Sequence, residues 1–348
     1  MMVSVRLAEE RDGEKWDAYV NRSTTGTFYH LFGWKQVLEK TYKLQPYYLV
    51  ALGQGDEIVG TLPLFLMRNI LFKKFLISNP FSNYCGVCAD SEAIADQLIE
   101  SAKSIGIERN TQYLELRCLG KSSGRPDQIR GEFVNMMLDL SQGADNVWNN
   151  QASGTVRNRV RKAMKNGLEF DAGKNYLNEF YNIFSQNMRD LGTPIHSNDF
   201  FRNILETFPD STEILVVKHE AQVIGSMFCF SFGSTISEPW VSTLRSHSCY
   251  CPADFLYWEA VKHACEKGLQ EFDFGRSTVN AGTFKFKKKW GAVPVPMHYH
   301  YYLNQADHVP EVNAVDNKYQ LAVDIWKKTP LVFTNAIGPA LVKYLPEL

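Results

Sequence analysis

Apolar and polar positions change period along this chain in an order that occurs twice. In the first half, strand-length apolar runs at Tyr47 to Leu52 and Glu57 to Met67 flank Gly53-Gln54-Gly55-Asp56, whose glycines and aspartate suit the positive φ angles of a hairpin turn. Ile94, Ala95, Leu98, Ile99, Ala102 and Ile105 recur at helical spacing, with Asp90 or Ser91 available as a cap and Gly106 as a stop. The alternating segment Tyr113-Leu-Glu-Leu-Arg117 and the stretch Glu132 to Leu140 read as strands. A short strand from Val3 and helices near Trp16 and from Leu31 to Lys40 precede them.

The second half repeats the order. A helix with Leu177, Phe180, Tyr181, Phe184, Met188 and Leu191 on one face stops at Gly192, before Pro194. A hairpin follows, Glu213 to Lys218 and Val223 to Phe232, turning near His219 to Gln222. Pro252 opens a helix that Gly268 ends, and Glu271-Phe-Asp-Phe274 is the next strand. The hairpins LVALGQGDEIVGTLPLF and LVVKHEAQVIGSMFCF share a Val/Ile-Gly dipeptide, at Gly60 and Gly225, about 160 residues apart. A domain-sized internal duplication accounts for four elements matching in sequence. The polar stretch Gln142 to Gly154 sets the boundary, giving domains over 1–145 and 146–305 and a helical tail over 306–348.

Composition narrows the class. The chain has 348 residues, 45% hydrophobic, with a formal net charge of −1, so no global field draws it to nucleic acid or membrane and any basic site is local. The N-terminal residues carry charges without an apolar run, which argues against a signal peptide, and no apolar stretch reaches spanning length. The seven cysteines include one C-x2-C (Cys85, Cys88) and one C-x-C (Cys249, Cys251), with no second C-x2-C or H-x3-H to complete a zinc site. Reduced, mostly buried thiols in a cytoplasmic protein, with no metal, are the expectation.

The most specific segment is Phe272-Asp-Phe-Gly-Arg-Ser-Thr-Val-Asn-Ala-Gly-Thr-Phe-Lys-Phe-Lys-Lys-Lys-Trp-Gly291, preceded by the helix carrying Trp258 and Ala260. It resembles the closing motif of the Fem family and the FemAB-like acetyltransferases, with Gly275, Gly282, Phe286, Lys287, Trp290 and Gly291 at the motif positions. Phe32-Gly33-Trp34, Asn79-Pro80-Phe81 with Tyr84, the strand YLELR, the helix TVRNRVRKAMKNGLEF and Arg189-Asp-Leu-Gly-Thr-Pro194 extend the resemblance over about Val3 to Tyr301. The tail through Ile337-Gly338-Pro339 is similar to the branch found with exosortase/PEP-CTERM exopolysaccharide systems. The resemblance implies an α+β fold of two tandem GNAT-like domains, mixed sheets flanked by helices. It also implies an acyltransferase that forms an amide, by aminoacyl transfer to an amine of a peptidoglycan or other envelope precursor, lipid- or nucleotide-linked. In the family the Lys of the F-K motif stabilises the transition state, a role that falls on Lys287 with Phe286 beside it.

Amide formation from an activated ester needs a free amine and positive charge near the developing oxyanion. Arg276, after the strand end at Gly275, suits a phosphate or carboxylate clamp or a salt bridge to Asp273 or Asp254. Trp240 and Arg245 are expected near the acceptor, in a cleft between the domains. Tyr84, Glu115 and Arg117 are first-domain candidates for substrate contact, the last two sharing a strand face as a charge pair. His196 stands where nucleotide-sugar ligases carry an Arg, making it a weaker, pH-dependent phosphate ligand. Arg157, Arg161 and Lys165 form an i, i+4, i+8 row for donor phosphates, with Val156, Val160 and Met164 toward the core. No Q/R-x-x-G-x-G/A loop for coenzyme A is present, so the donor stays open between aminoacyl-tRNA and acyl-CoA, with no tightly bound cofactor. Residues 331–345 are apolar but broken by Gly338-Pro339, fitting either a membrane interface or packing on the second domain. Two alternatives remain: acyl-CoA-dependent acylation of an exopolysaccharide amino sugar, and a non-catalytic glycan-binding or assembly protein on a transferase scaffold.

Overall fold

In the computed structural model, which describes residues 3–120, 124–309 and 317–345, the repeated apolar order produces repeated topology. The chain divides into two units, one of Met1–Phe133, Pro296–Val312 and Leu341–Leu348, the other of Val134–Val295 and Asn313–Ala340. Residues 134–145, read from the sequence as part of the first domain, thus fall in the second unit, and 296–305 in the first. Strand pairing is the reason, since hydrogen bonds join segments that are remote in the chain. Residues 310–316 and 346–348 of the expected helical tail lie outside the described residues.

The first unit contains strands β1 (Ser4–Leu7), β2 (Gln45–Leu52), β3 (Ile58–Arg68), β4 (Lys74–Ser78), β5 (Cys88–Ala89), β6 (Tyr113–Leu119) and β7 (Gln128–Arg130). Its helices are α1 (Gly13–Arg22), α2 (Gly33–Tyr42) and α3 (Glu92–Glu108). β2, β3 and β4 are successive antiparallel neighbours, α3 crosses back, and β6 lies parallel to β4 with Leu76 beside Leu114. Residues 297–303 of the strand Val293–Leu303 then pair antiparallel with β6, Met297 opposite Leu119. The core lies between α3 and the sheet, around Leu62, Leu64, Leu76, Leu98 and Leu116.

The second unit contains β8 (Phe133–Asp139), β9 (Glu169–Ala172), β10 (Thr212–His219), β11 (Gln222–Phe232), β12 (Thr235–Thr243) and β13 (Glu271–Thr278). Its helices are α4 (Gly143–Asn146), α5 (Gly154–Lys165), α6 (Leu177–Leu191), α7 (Asn198–Thr207), α8 (Pro252–Glu266), α9 (Gly282–Lys288), α10 (Asn317–Lys328) and α11 (Leu331–Val342). β10, β11 and β12 are antiparallel neighbours, α8 crosses back, and β13 is parallel to β12, the same path as in the first unit. β8 is hydrogen-bonded to the other side of β13. Val217, Met227, Leu256, Val261, Phe272 and Trp290 belong to one buried cluster.

The shared glycines occupy equivalent hairpin positions but meet different neighbours. A Cβ on Gly60 would stand 2.9 Å from Ile94 Cγ2 and Leu98 Cδ1 of α3, and one on Gly225 would stand 3.1 Å from Thr243 Cγ2 and 3.8 Å from Leu256 of α8. Gly60 lets the crossover helix lie close to the sheet, whereas at Gly225 the tight neighbour is Thr243 on the adjacent strand. The serines before α3, α5 and α7 (Ser91, Ser153, Ser197) each accept a hydrogen bond from the N–H three residues on. α3 runs past Gly106 because Thr111 donates back to the Gly106 carbonyl through both its N–H and its hydroxyl, at 3.0 and 3.2 Å. In α5 the buried stripe is Val156, Val160 and Ala163, and Met164 is 45% exposed, so the sequence reading misplaced that side chain by one position. α7, unanticipated, buries Phe200, Phe201, Ile204 and Leu205. α10 and α11 rest on one short segment: Val323 lies against Gly192, and Gly338 against Ile195.

Replacing Gly60 with Val should lower stability by about 1–3 kcal/mol, the usual cost of overpacking a close helix–sheet contact. Thermal unfolding checks this, and an unchanged melting temperature would show that α3 is free to shift.

Candidate functional site

The site begins with a strand pair that stays together for only three residues. β12 and β13 are partnered at Thr235 with Glu271, Ile236 with Phe272 and Ser237 with Asp273, yet β12 continues to Thr243 and β13 to Thr278. Pro239 has no N–H for a ladder bond, and here β12 gains a residue: Phe230 faces Ser237 while Phe228 faces Trp240. This bulge holds Glu238 and Pro239. On the other strand, Gly275 has φ 73, a left-handed conformation that a side chain would strain. The kink allows two successive carbonyls to meet one donor, Lys287 Nζ, at 3.1 Å from Gly275 O and 3.0 Å from Arg276 O.

Four ionisable groups are buried here: Lys287 (7% exposed), Glu238 (3%), Asp273 (1%) and Tyr257 (4%). α9 delivers Lys287, because Phe284 and Lys287, three apart, share its buried face. Asp273 is held on all sides: Oδ1 accepts from Asn135 Nδ2 and from Gly275 N, both at 2.7 Å, and Oδ2 from Ser237 Oγ at 3.3 Å. Glu238 Oε1 accepts from the Tyr257 hydroxyl at 2.9 Å. Burial pushes the Glu238 carboxyl up to about 8, against the pull of Lys287 and the Tyr257 hydrogen bond. Burial also lowers the Lys287 ammonium, with Glu238 and Asp273 opposing and Arg276 adding to the effect. Acid and amine are each biased toward the neutral form, which is the condition for moving a proton near neutral pH.

Glu238, Tyr257 and Asp273 were not singled out from the sequence as chemistry-bearing. An acid beside a proline inside a strand is the signal that could have found Glu238. Phe286 is half-buried with its ring 5.2 Å from that of Tyr257. Arg276 is partly exposed, and Asp254, its suggested partner, lies 3.6 Å from Arg159 instead. Arg245 is exposed at the start of the 3-10 turn Arg245–Tyr250 that links β12 to α8. Trp240 packs edge-on to Phe201 at 5.0 Å.

Two expected phosphate ligands are placed otherwise, and the expected Glu115–Arg117 charge pair is present. His196 is buried and stacked on Phe200 at 4.2 Å, and burial pushes its ring down to about 3, so it is neutral and offers no charge to a phosphate. Arg157 turns inward and donates to Trp148 O (3.0 Å) and Ala152 O (2.6 Å), leaving Arg161 and Lys165 as the exposed members of its row. In the first unit Arg117 Nε donates to Glu115 Oε1 at 2.7 Å with both side chains buried, and Tyr84 is buried edge-on to Tyr29. These are packed interactions of the core. The seven cysteines are free thiols. Among the described residues no cluster of His, Cys, Asp or Glu is arranged to hold a metal, and no helix is long and apolar enough to cross a membrane.

Residues 150–288 match the model described as the acetyltransferase (GNAT) domain. No curated protein matches the chain. Among solved structures, FemX is similar with a TM-score of 0.68 at 14% identity, covering 88% of this chain and 98% of FemX. The C-terminal domain (DUF2156) of a putative lysylphosphatidylglycerol synthetase from Agrobacterium fabrum has a TM-score of 0.54 at 11% identity, covering 84% and 92% of the two chains. A tandem GNAT protein from the clavulanic acid biosynthesis pathway has 0.55 at 9%, covering 86% and 98%. The chain is thus an acyltransferase, with a GNAT domain over residues 150–288 set in a tandem GNAT, FemX-like fold.

Proposed function

We propose that this acyltransferase forms an amide, transferring an aminoacyl group to an amine of a cell-envelope precursor, with Lys287 and Glu238 as its working pair. The observation that carries the reading is the parting of β12 and β13 beside a buried lysine and a buried carboxyl of raised pKa. An acyl group entering there meets two strand edges that no longer pair with each other. In its ammonium form Lys287 gives two N–H groups to Gly275 and Arg276 and keeps the third for the carbonyl oxygen as it becomes an oxyanion. The ionised fraction of Glu238 takes the proton from the attacking amine. A C–N bond forms, the ester or thioester bond breaks, and the leaving oxygen or sulfur departs with the proton that Glu238 passes to it, which restores the carboxylate. Phe286 backs Tyr257, which orients Glu238.

Support for an aminoacyl donor comes from the Fem resemblance, from the neighbour named for lysylphosphatidylglycerol synthesis, and from α5. Arg159, Arg161, Lys162 and Lys165 are exposed on that helix, and Arg161 stacks over Trp148 at 5.4 Å. Such a face suits a polyanion of tRNA size. A second reading takes acyl-CoA as donor and an amino sugar as acceptor, and the GNAT domain match favours it. Incubation with charged tRNA and with acyl-CoA, following label transfer in one case and free thiol in the other, separates the two readings. Turnover with neither, in folded protein, argues for a binding scaffold.

Three outcomes are expected. Lys287→Met should reduce kcat by at least about 100-fold, the scale of losing one oxyanion donor, and lower stability by about 1–3 kcal/mol because two buried carbonyls lose their donor. A folded variant with normal turnover rejects the role. The wild-type rate should climb with pH through about 8 as the Glu238 carboxyl ionises, and Glu238→Gln should flatten that rise. Arg161→Glu with Lys165→Glu should raise donor KM several-fold and weaken its salt dependence while kcat holds; an unchanged KM removes α5 from donor binding.

A further inference from the structure

The turn between β3 and β4 has a composition unlike any other exposed loop of the first unit. Ile70, Leu71 and Phe72 are 64%, 71% and 71% exposed, three large apolar side chains in succession at a hairpin tip. Arg68 precedes them, Lys73 and Lys74 follow, and no acid lies between Arg68 and Lys74. Isolated exposed apolar residues need no explanation, but a contiguous set ringed by cations does.

The tip is built rather than left over. Asn69 holds it: its side-chain oxygen accepts from Leu71 N at 3.0 Å and Lys73 N at 3.1 Å, and its carbonyl accepts from Phe72 N at 2.9 Å. Asn69 N in turn donates to Lys73 O at 3.0 Å, closing the hairpin. Phe72 sits at φ 57, a conformation that a bulky residue adopts only when its surroundings impose it. Behind the tip, β3 and β4 pair from Arg68 with Lys74 back to Leu64 with Ser78. The apolar triplet is therefore carried on a stiff two-stranded arm whose turn is fixed by hydrogen bonds.

We propose that this tip inserts into an anionic lipid bilayer, Ile70, Leu71 and Phe72 entering the interface while Arg68 and Lys73 meet acidic headgroups. The charge arrangement favours lipid over an apolar protein groove, because the cations flank the apolar residues at the level where headgroups would surround a shallow insertion. The chain's net charge of −1 makes the attraction local to the tip. The inference stands apart from the reading of the Lys287 site. If both hold, the tip anchors the enzyme where a lipid-borne acceptor is made.

The test is co-sedimentation of the full-length protein with vesicles of phosphatidylcholine alone and with added phosphatidylglycerol. Wild type should bind the anionic vesicles, weakly bind the neutral ones, and lose most binding in high salt. Ile70→Ser/Leu71→Ser/Phe72→Ser should reduce partitioning at least 10-fold, and Arg68→Glu/Lys73→Glu should do the same on anionic vesicles only. Melting temperatures should stay unchanged, since these side chains are exposed. Absence of wild-type binding overturns the proposal, as does full binding by the triple variant, including binding through the exposed Val332 and Phe333 of α11. Light scattering without lipid supplies a last control: a wild-type dimer that becomes a monomer in the triple variant would make the tip a contact between copies instead.

Discussion

Two neighbouring parallel strands cannot separate inside a folded domain without leaving peptide groups in want of partners, and the second unit meets that cost with a lysine. Beyond Ser237 and Asp273 the carbonyls of Gly275 and Arg276 turn to Lys287 Nζ instead of to β12. Pro239 removes one donor from the other strand, and Asp273 collects the Gly275 N–H. Buried donors and acceptors are satisfied almost without exception in stable proteins, so the opening and the lysine imply each other. A side chain recruited to complete the backbone ladder is thereby set where the proposed reaction puts the acyl group.

The first unit shows the same strand path put to a different end. β4 and β6 are parallel for Leu76 with Leu114 and Ile77 with Glu115 and then diverge. There the space is closed: Arg117 binds Glu115, its Nη1 donates to Ser82 O at 2.9 Å, and its backbone N–H donates to Ser78 Oγ at 3.0 Å. Losing either partner of this buried Arg–Glu pair would leave the other's charge uncompensated, so the pair serves packing. The second unit has a lysine and a carboxyl that burial drives toward neutrality from opposite sides. The same strand path thus occurs twice, with a buried lysine and carboxyl at the parting in the second unit and a buried Arg–Glu pair in the first.

Rigidity around the pair comes from apolar packing. Tyr257 stacks on Phe274 at 5.1 Å and meets Phe286 at 5.2 Å, so the hydroxyl that reaches Glu238 is held by rings on two other elements. His196, Phe200, Phe201 and Trp240 form a second aromatic group on the β12 side. Its neutral histidine contributes shape and leaves the electrostatics of the opening to Lys287, Glu238, Asp273 and Arg276.

Local chemistry was legible in the sequence wherever it acts over short range. Apolar period and glycine stops marked both hairpins, both crossover helices and their repetition, because a strand or helix face needs only its own residues to declare itself. The F-K segment pointed to Lys287 through resemblance. What remained hidden depended on partners distant in the chain. Glu238 became a raised-pKa acid only when the folded core excluded water from it, against the pull of Lys287 and of Tyr257 on α8. Arg157 and His196 left the candidate phosphate ligands because Trp148, Ala152 and Phe200 claimed them. The unit boundaries followed strand pairing across more than a hundred residues, as in Met297 with Leu119. Periodicity determines which face a residue occupies; burial and pairing, which only the folded chain supplies, decide what its charge can do.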